Sequence, residues 1–116
     1  MKSVLIPISM AGSALLLATS VFAAAGLTDP KGMTLYAFDK DTKDTSTCYD
    51  ACAKNWPPYL VKDGKESGEG WTQAKRKDGS EQWVYDGKPL YYYAEDKKPG
   101  DAKGDGLNGV WHTAAK

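Results

Sequence analysis

Two cysteines four residues apart, Cys48 and Cys52, are the most reactive pair in the chain, and no others accompany them. On one turn of helix they would share a face, with Cα atoms near the separation a disulfide allows. A closed pair would clip a local kink, because so short a loop gains little chain entropy. Left as thiolates they would suit a soft metal such as copper, with the single histidine, His112, as a third ligand. Asp39, Asp41 and Asp44 hint at a calcium loop, but their spacing is wrong for an EF-hand and the required glycine is missing. Paired acids for glycoside hydrolysis cannot be picked out from so many aspartates. Ser46, Ser67 and Ser80 lie in no Gly-x-Ser-x-Gly turn, and no glycine-rich phosphate loop is present. These residues describe a non-enzymatic protein without a cofactor.

The aromatic residues carry a second kind of chemistry. Comparing the chain with itself aligns residues 32–56 with 87–111 at a constant offset, without a gap. Gly32, Leu35, Tyr36, Asp41, Lys43, Asp50 and Trp56 recur as Gly87, Leu90, Tyr91, Asp96, Lys98, Asp105 and Trp111, and Phe38 recurs as Tyr93. Tyr36, Phe38, Tyr91, Tyr93, Trp56 and Trp111 read as the core of two like halves, or as a stacking surface for a glycan. Asp41 and Asp96 close each copy, where a carboxylate commonly accepts backbone N–H bonds from the following turn. Tyr49, Tyr59, Trp71 and Tyr92 lie outside the repeat and are the better candidates for exposed stacking.

Residues 1–23 position all of this outside the cytoplasm. One lysine, an apolar run and small residues have the order of a secretory signal, with cleavage after Ala23 or Ala25. A soluble periplasmic or secreted product is expected, with the membrane met only during export. Without that segment, fourteen basic and fifteen acidic residues remain, a net charge of −1. That balance excludes a nucleic-acid partner, which needs a basic surplus. Nine large aliphatic residues and twelve aromatics are left, so any core is largely aromatic.

The elements that position these residues are short. Asp86-Gly87 is a two-residue hairpin turn signal. It joins strands at 81–85 and 88–93, with Trp83 opposite Leu90 and Gln82 opposite Tyr91. Alternation places Leu90 and Tyr92 on one face, Tyr91 and Tyr93 on the other. In the first copy, a turn at Asp29–Gly32 leads into a strand over 33–38, with Tyr36 and Phe38 sharing a face. Pro89 suggests an edge strand. A helix is expected over 47–56, with Thr47 and Asp50 as a capping box and Pro57-Pro58 as the stop. Lys75–Lys77 with Asp78-Gly79 reads as a solvated turn. The expected fold is mainly β: one domain of two pseudo-equivalent repeats of antiparallel hairpins with one short helix. Residues 26–61 form the first repeat, 62–80 a connector and turn, and 81–116 the second repeat.

The runs GMTLYAFDKD, Ser46-x-Cys48-x3-Cys52-Ala53-x2-Trp56-Pro57-Pro58, DGSEQWVYDGKPLYYYAED and GDGLNGVWH together resemble the secreted repeat of unknown function. Members of that family are described as predicted lipoproteins with a conserved Yx(FWY)xxD motif. The motif falls at Tyr36-x-Phe38-x2-Asp41 and again at Tyr91-x-Tyr93-x2-Asp96. The resemblance implies export and a repeat fold, and it carries no activity. No cysteine follows the apolar run, so this chain departs from the lipoprotein label. The expected partner is an unidentified envelope component, protein or glycan. The alternative is a periplasmic redox or copper-handling protein using Cys48 and Cys52.

Overall fold

A computed structural model describes residues 26–116. The signal-like segment therefore lies outside the described residues. Strands β1 (Tyr36–Phe38) and β5 (Trp111–Thr113) pair antiparallel, with Phe38 opposite Trp111 and Ala37 opposite His112. Strands β2 (Trp71–Lys75), β3 (Glu81–Tyr85) and β4 (Lys88–Pro89) form an antiparallel sheet in that order. Among the described residues, one helix, α1 (Ala51–Asn55), and two 3-10 turns, Val61–Asp63 and Leu107–Gly109, complete the regular structure. The fold is mainly β in two like repeats, as expected.

The Asp86-Gly87 turn forms, with φ of 53° and 82° at its central residues. This is the left-handed pair that a twisted two-residue hairpin demands. Tyr85 faces Lys88, Val84 faces Pro89, and the Leu90 N–H still bonds the Trp83 carbonyl at 3.0 Å. Pro89 thus sits on an edge strand. Beyond Leu90 the hairpin parts. Gln82 bridges Leu60 instead of Tyr91, and Tyr91 crosses to Tyr36, where each N–H bonds the other's carbonyl at 2.8–2.9 Å. The Gln82 side chain supplies the missing link, donating Nε2–H to the Leu90 carbonyl at 2.7 Å. The segment read as connector and turn also contains β2, which pairs along its whole length with β3.

The helix is shorter than its sequence signal. Thr47 does not cap it, because its N–H and its hydroxyl both donate to Asp41 Oδ1 at 2.8 Å. Asp50 takes the N-cap position without a side-chain hydrogen bond. The chain ends this helix at Asn55, with Trp56 N–H bonding the Cys52 carbonyl before Pro57-Pro58.

Backbone bonds show how the halves join. Leu90 bonds Trp83, Trp83 bonds Tyr59, and Tyr59 bonds Leu90, a closed ring of N–H to carbonyl links at 2.9–3.0 Å. In the other half, Leu35 bonds Leu27, Leu27 bonds Ala114, and Ala114 bonds Leu35 in the same cyclic order. Each ring takes a hairpin from one repeat and the strand that follows the tryptophan of the other. The repeats are intertwined. The core accordingly divides into two clusters, each fed by both repeats. Leu27, Leu35, Tyr59, Trp83, Leu90 and Ala114 pack on one side, and Tyr36, Cys48, Trp56, Tyr91 and Trp111 on the other.

Candidate functional site

The repeated aromatics lie in the second cluster. Phe38, Trp111, Trp56 and Tyr93 stack in that order, with successive centroids 4.0, 3.8 and 4.3 Å apart. Exchanging the repeats reverses this column onto itself: Phe38 matches Tyr93 and Trp111 matches Trp56. Tyr36 meets Trp56 edge-on at 5.2 Å, and Tyr91 meets Trp111 edge-on at the same distance. Edge-to-face and offset stacks of this kind add about 0.5–1.5 kcal/mol each beyond burial. Gly104 must be glycine, because a Cβ there would lie 2.5 Å from the Trp56 ring.

The polar ends of the motif are exchanged in the same way. Tyr36 donates its hydroxyl to Asp96 Oδ2 at 2.7 Å, and Tyr91 donates to Asp41 Oδ2 at 2.6 Å. Each tyrosine therefore meets the aspartate of the other copy. Tyr36 and Tyr91 are fully buried, and burial, reinforced by the facing carboxylate, pushes both phenols well above their ordinary value. Burial also raises the Asp41 carboxyl, against the pull of the Tyr91 and Thr47 hydrogen bonds. A second donor completes each tyrosine: the Gly104 N–H for Tyr36 at 3.1 Å, and Ser46 for Tyr91 at 2.6 Å. Because Tyr91 spends its proton on Asp41, Ser46 must donate to Tyr91.

Ser46 leads to a residue that the sequence reading left on the surface. Arg76, the only arginine in the chain, is 6% exposed. Its Nη1 donates to Ser46 Oγ at 3.0 Å and to Gln82 Oε1 at 2.8 Å, and its Nη2 donates to the Cys48 carbonyl at 2.8 Å. A one-way chain of donors thus runs from Arg76 through Ser46 and Tyr91 to Asp41. Lys75 and Lys77 are exposed as a solvated turn requires, and of the three only Arg76 is buried. One signal marked it: a planar fork among fourteen lysines suits fixed, multidentate bonding.

Cys48 and Cys52 form a disulfide, with Cα atoms 5.2 Å apart. Only Cys52 is helical, so the shared helical face expected for the pair is replaced by a turn leading into α1. His112 is not brought to the cysteines. It stands opposite Ala37, on the face of β5 away from buried Trp111, and its Nε2 lies 2.8 Å from Asp39 Oδ2. Asp39 and Asp41 go to different partners, and Asp44 caps the hairpin tip by bonding the Gly87 carbonyl. Among the described residues no three His, Cys, Asp or Glu side chains gather as a metal site. Of the residues read as exposed stackers, Tyr59 is fully buried and bonds Glu66 at 2.7 Å. Tyr92 is half-buried and bonds Asp29 at 2.7 Å, and Trp71 packs edge-on against Trp83. Tyr49 is half-buried, with Arg76 and Lys77 4.3 and 4.9 Å from its ring centroid.

An open groove of about 570 Å³ lies on the other face of β1 and β5, under the β3–β4 hairpin. Ala37, Leu90, Ala114 and Tyr85 are among the residues of its lining, and the exposed Lys43, Lys88 and His112–Asp39 pair stand at its rim. Its size suits a small molecule.

A family model described as a secreted repeat of unknown function matches residues 23–59 and 72–115. No curated protein and no solved structure matches the chain. Among the described residues no helix is long and apolar enough to cross a membrane.

Proposed function

The chain belongs to the secreted repeat family of unknown function, and from that premise we propose that it is a non-enzymatic exported module that binds an envelope component in the groove beside β1 and β5. The commitment of the motif's polar groups carries this reading. Tyr36, Tyr91, Asp41 and Asp96 bond one another across the repeats, so the motif serves the framework. Ser46 is held as a buried relay between Arg76 and Tyr91, a poor setting for a nucleophile. The groove remains as a concave surface of ligand size with polar groups at its rim.

Nitrogen–proton NMR during titration with muropeptides and cell-surface polysaccharides tests the proposal. Saturable shifts confined to Lys43, Lys88, His112 and their neighbours support it. Shifts elsewhere, or none with any fraction, reject the groove. The redox alternative needs two reactive thiols, whereas the disulfide predicts none in a free-thiol assay of the native protein.

A further inference from the structure

The intertwined repeats give the groove an internal counterpart. The offset that relates Leu35 to Leu90 also relates Ala114 to Tyr59, since Ala114 bonds Leu35 as Tyr59 bonds Leu90. It likewise relates Ala37 to Tyr92: Ala37 lies opposite His112, and the Tyr92 N–H bonds the Pro57 carbonyl, Pro57 being the counterpart of His112. Across the hairpin, Tyr85 corresponds to Asp29, one position out of step because the first turn is longer by a residue.

At one end of the fold, then, the space beneath the hairpin holds two phenol rings of the chain itself. Tyr59 and Tyr92 meet edge-on there at 5.6 Å, and Tyr92 reaches Asp29 with its hydroxyl. At the other end both rings are replaced by the methyl groups of Ala37 and Ala114, and both of those residues line the groove. The groove is the counterpart of a filled aromatic site with its rings removed.

We propose that the groove binds a small planar aromatic molecule, a phenol or a similar single ring, where Tyr92 and Tyr59 sit in the opposite half. The proposal rests on the reading of the groove as the binding site and names the class of its ligand. Ala37 and Tyr85, both partly exposed, supply apolar and aromatic contact, as in other pockets that enclose most of a small ligand. Tyr85, the counterpart of Asp29 in the filled half, also lines the groove. Lys43, Lys88 and His112 offer further hydrogen bonds at the rim.

The test uses p-cresol, the tyrosine side chain in free form, with cyclohexanol as a non-aromatic control. For the native protein, p-cresol is expected to shift the amides of Ala37, Tyr85, Leu90, His112 and Ala114 saturably. A Kd of about 1 mM or tighter suits a ligand with so few atoms. Ala37→Tyr, which copies the filled half, should weaken binding at least about tenfold. Tyr92→Ala should open the opposite half and add a second set of shifts at Asp29, Thr34 and Leu35. Should Ala37→Tyr fail to fold, the gain of a site in Tyr92→Ala decides. Equal shifts from cyclohexanol overturn the aromatic preference. Groove shifts from an envelope fraction without any from p-cresol overturn this proposal and leave the binding reading standing. Silence of the groove toward every probe removes both.

Discussion

Each motif tyrosine is tied to the other copy's carboxylate, which makes the pairing measurable. Tyr36→Phe with Asp96→Asn in a double-mutant cycle should give a coupling of about 0.5–3 kcal/mol by denaturant unfolding. The within-copy cycle of Tyr36→Phe with Asp41→Asn should couple more weakly, because Asp41 bonds Tyr91. Equal couplings would contradict the exchange. Truncating Tyr36 or Tyr91 to alanine removes a fully buried ring as well, and should cost about 3–5 kcal/mol. Arg76 extends the argument to a buried charge. Arg76→Lys keeps the charge but cannot reach Ser46, Gln82 and the Cys48 carbonyl with a planar fork, so it should not rescue the loss of stability expected for Arg76→Ala. Full recovery of the unfolding midpoint by Arg76→Lys would refute the geometric role. The tyrosines announced themselves by recurring, whereas Arg76 sits in Lys-Arg-Lys-Asp-Gly, a solvated turn in local terms. Its acceptors Ser46 and Cys48 lie about thirty residues away, beyond the reach of local pattern.

At the scale of elements, the short helix shows where local signals compete. Thr47 and Asp50 have the spacing of a capping box, but Asp41 takes both donors of Thr47 and the helix begins later. Asp41 lies in the preceding turn, so only the folded loop reveals the competition. The cost falls on Asp50, which has φ 55° and ψ −123°, a conformation in which a Cβ is disfavoured. The Cys52 N–H bonds the Tyr49 carbonyl across it at 3.0 Å, and the Cys48–Cys52 bond spans the same turn. Asp50→Gly should therefore stabilise the protein, by about 1 kcal/mol in thermal or urea unfolding. A loss of stability would show that the Asp50 side chain makes a contribution beyond its backbone. The Asp86-Gly87 hairpin was legible because its turn needs no distant partner. Its parting after Leu90 was hidden, since the competing strand at Tyr59–Leu60 arrives from the other repeat.

The whole molecule is two alike halves that exchange both their strands and their hydrogen bonds. An offset in sequence establishes that two segments are similar, but says nothing about which copy's aspartate receives which tyrosine. That depends on the crossing of Tyr36 and Tyr91, a contact between strands far apart in the chain. The aromatic core was legible from the shortage of aliphatics, and its large tyrosine content makes stability depend on alkaline pH. Tyr36, Tyr59, Tyr91 and Tyr92 all have phenols raised above their ordinary value, chiefly by burial and then by a facing carboxylate. The folded state thus retains phenolic protons that the unfolded chain gives up near pH 10. Stability is fully present below that pH and falls as pH rises beyond it, because the unfolded state then binds fewer protons. The four phenols act together, so unfolding should be steep, and their phenolate absorbance should appear with the loss of tertiary circular dichroism. Smooth ionisation of all seven tyrosines while the fold persists would refute the buried tyrosine–carboxylate framework. Tyr36→Phe and Tyr91→Phe should each make the alkaline transition shallower, since each removes a proton whose retention links folding to pH.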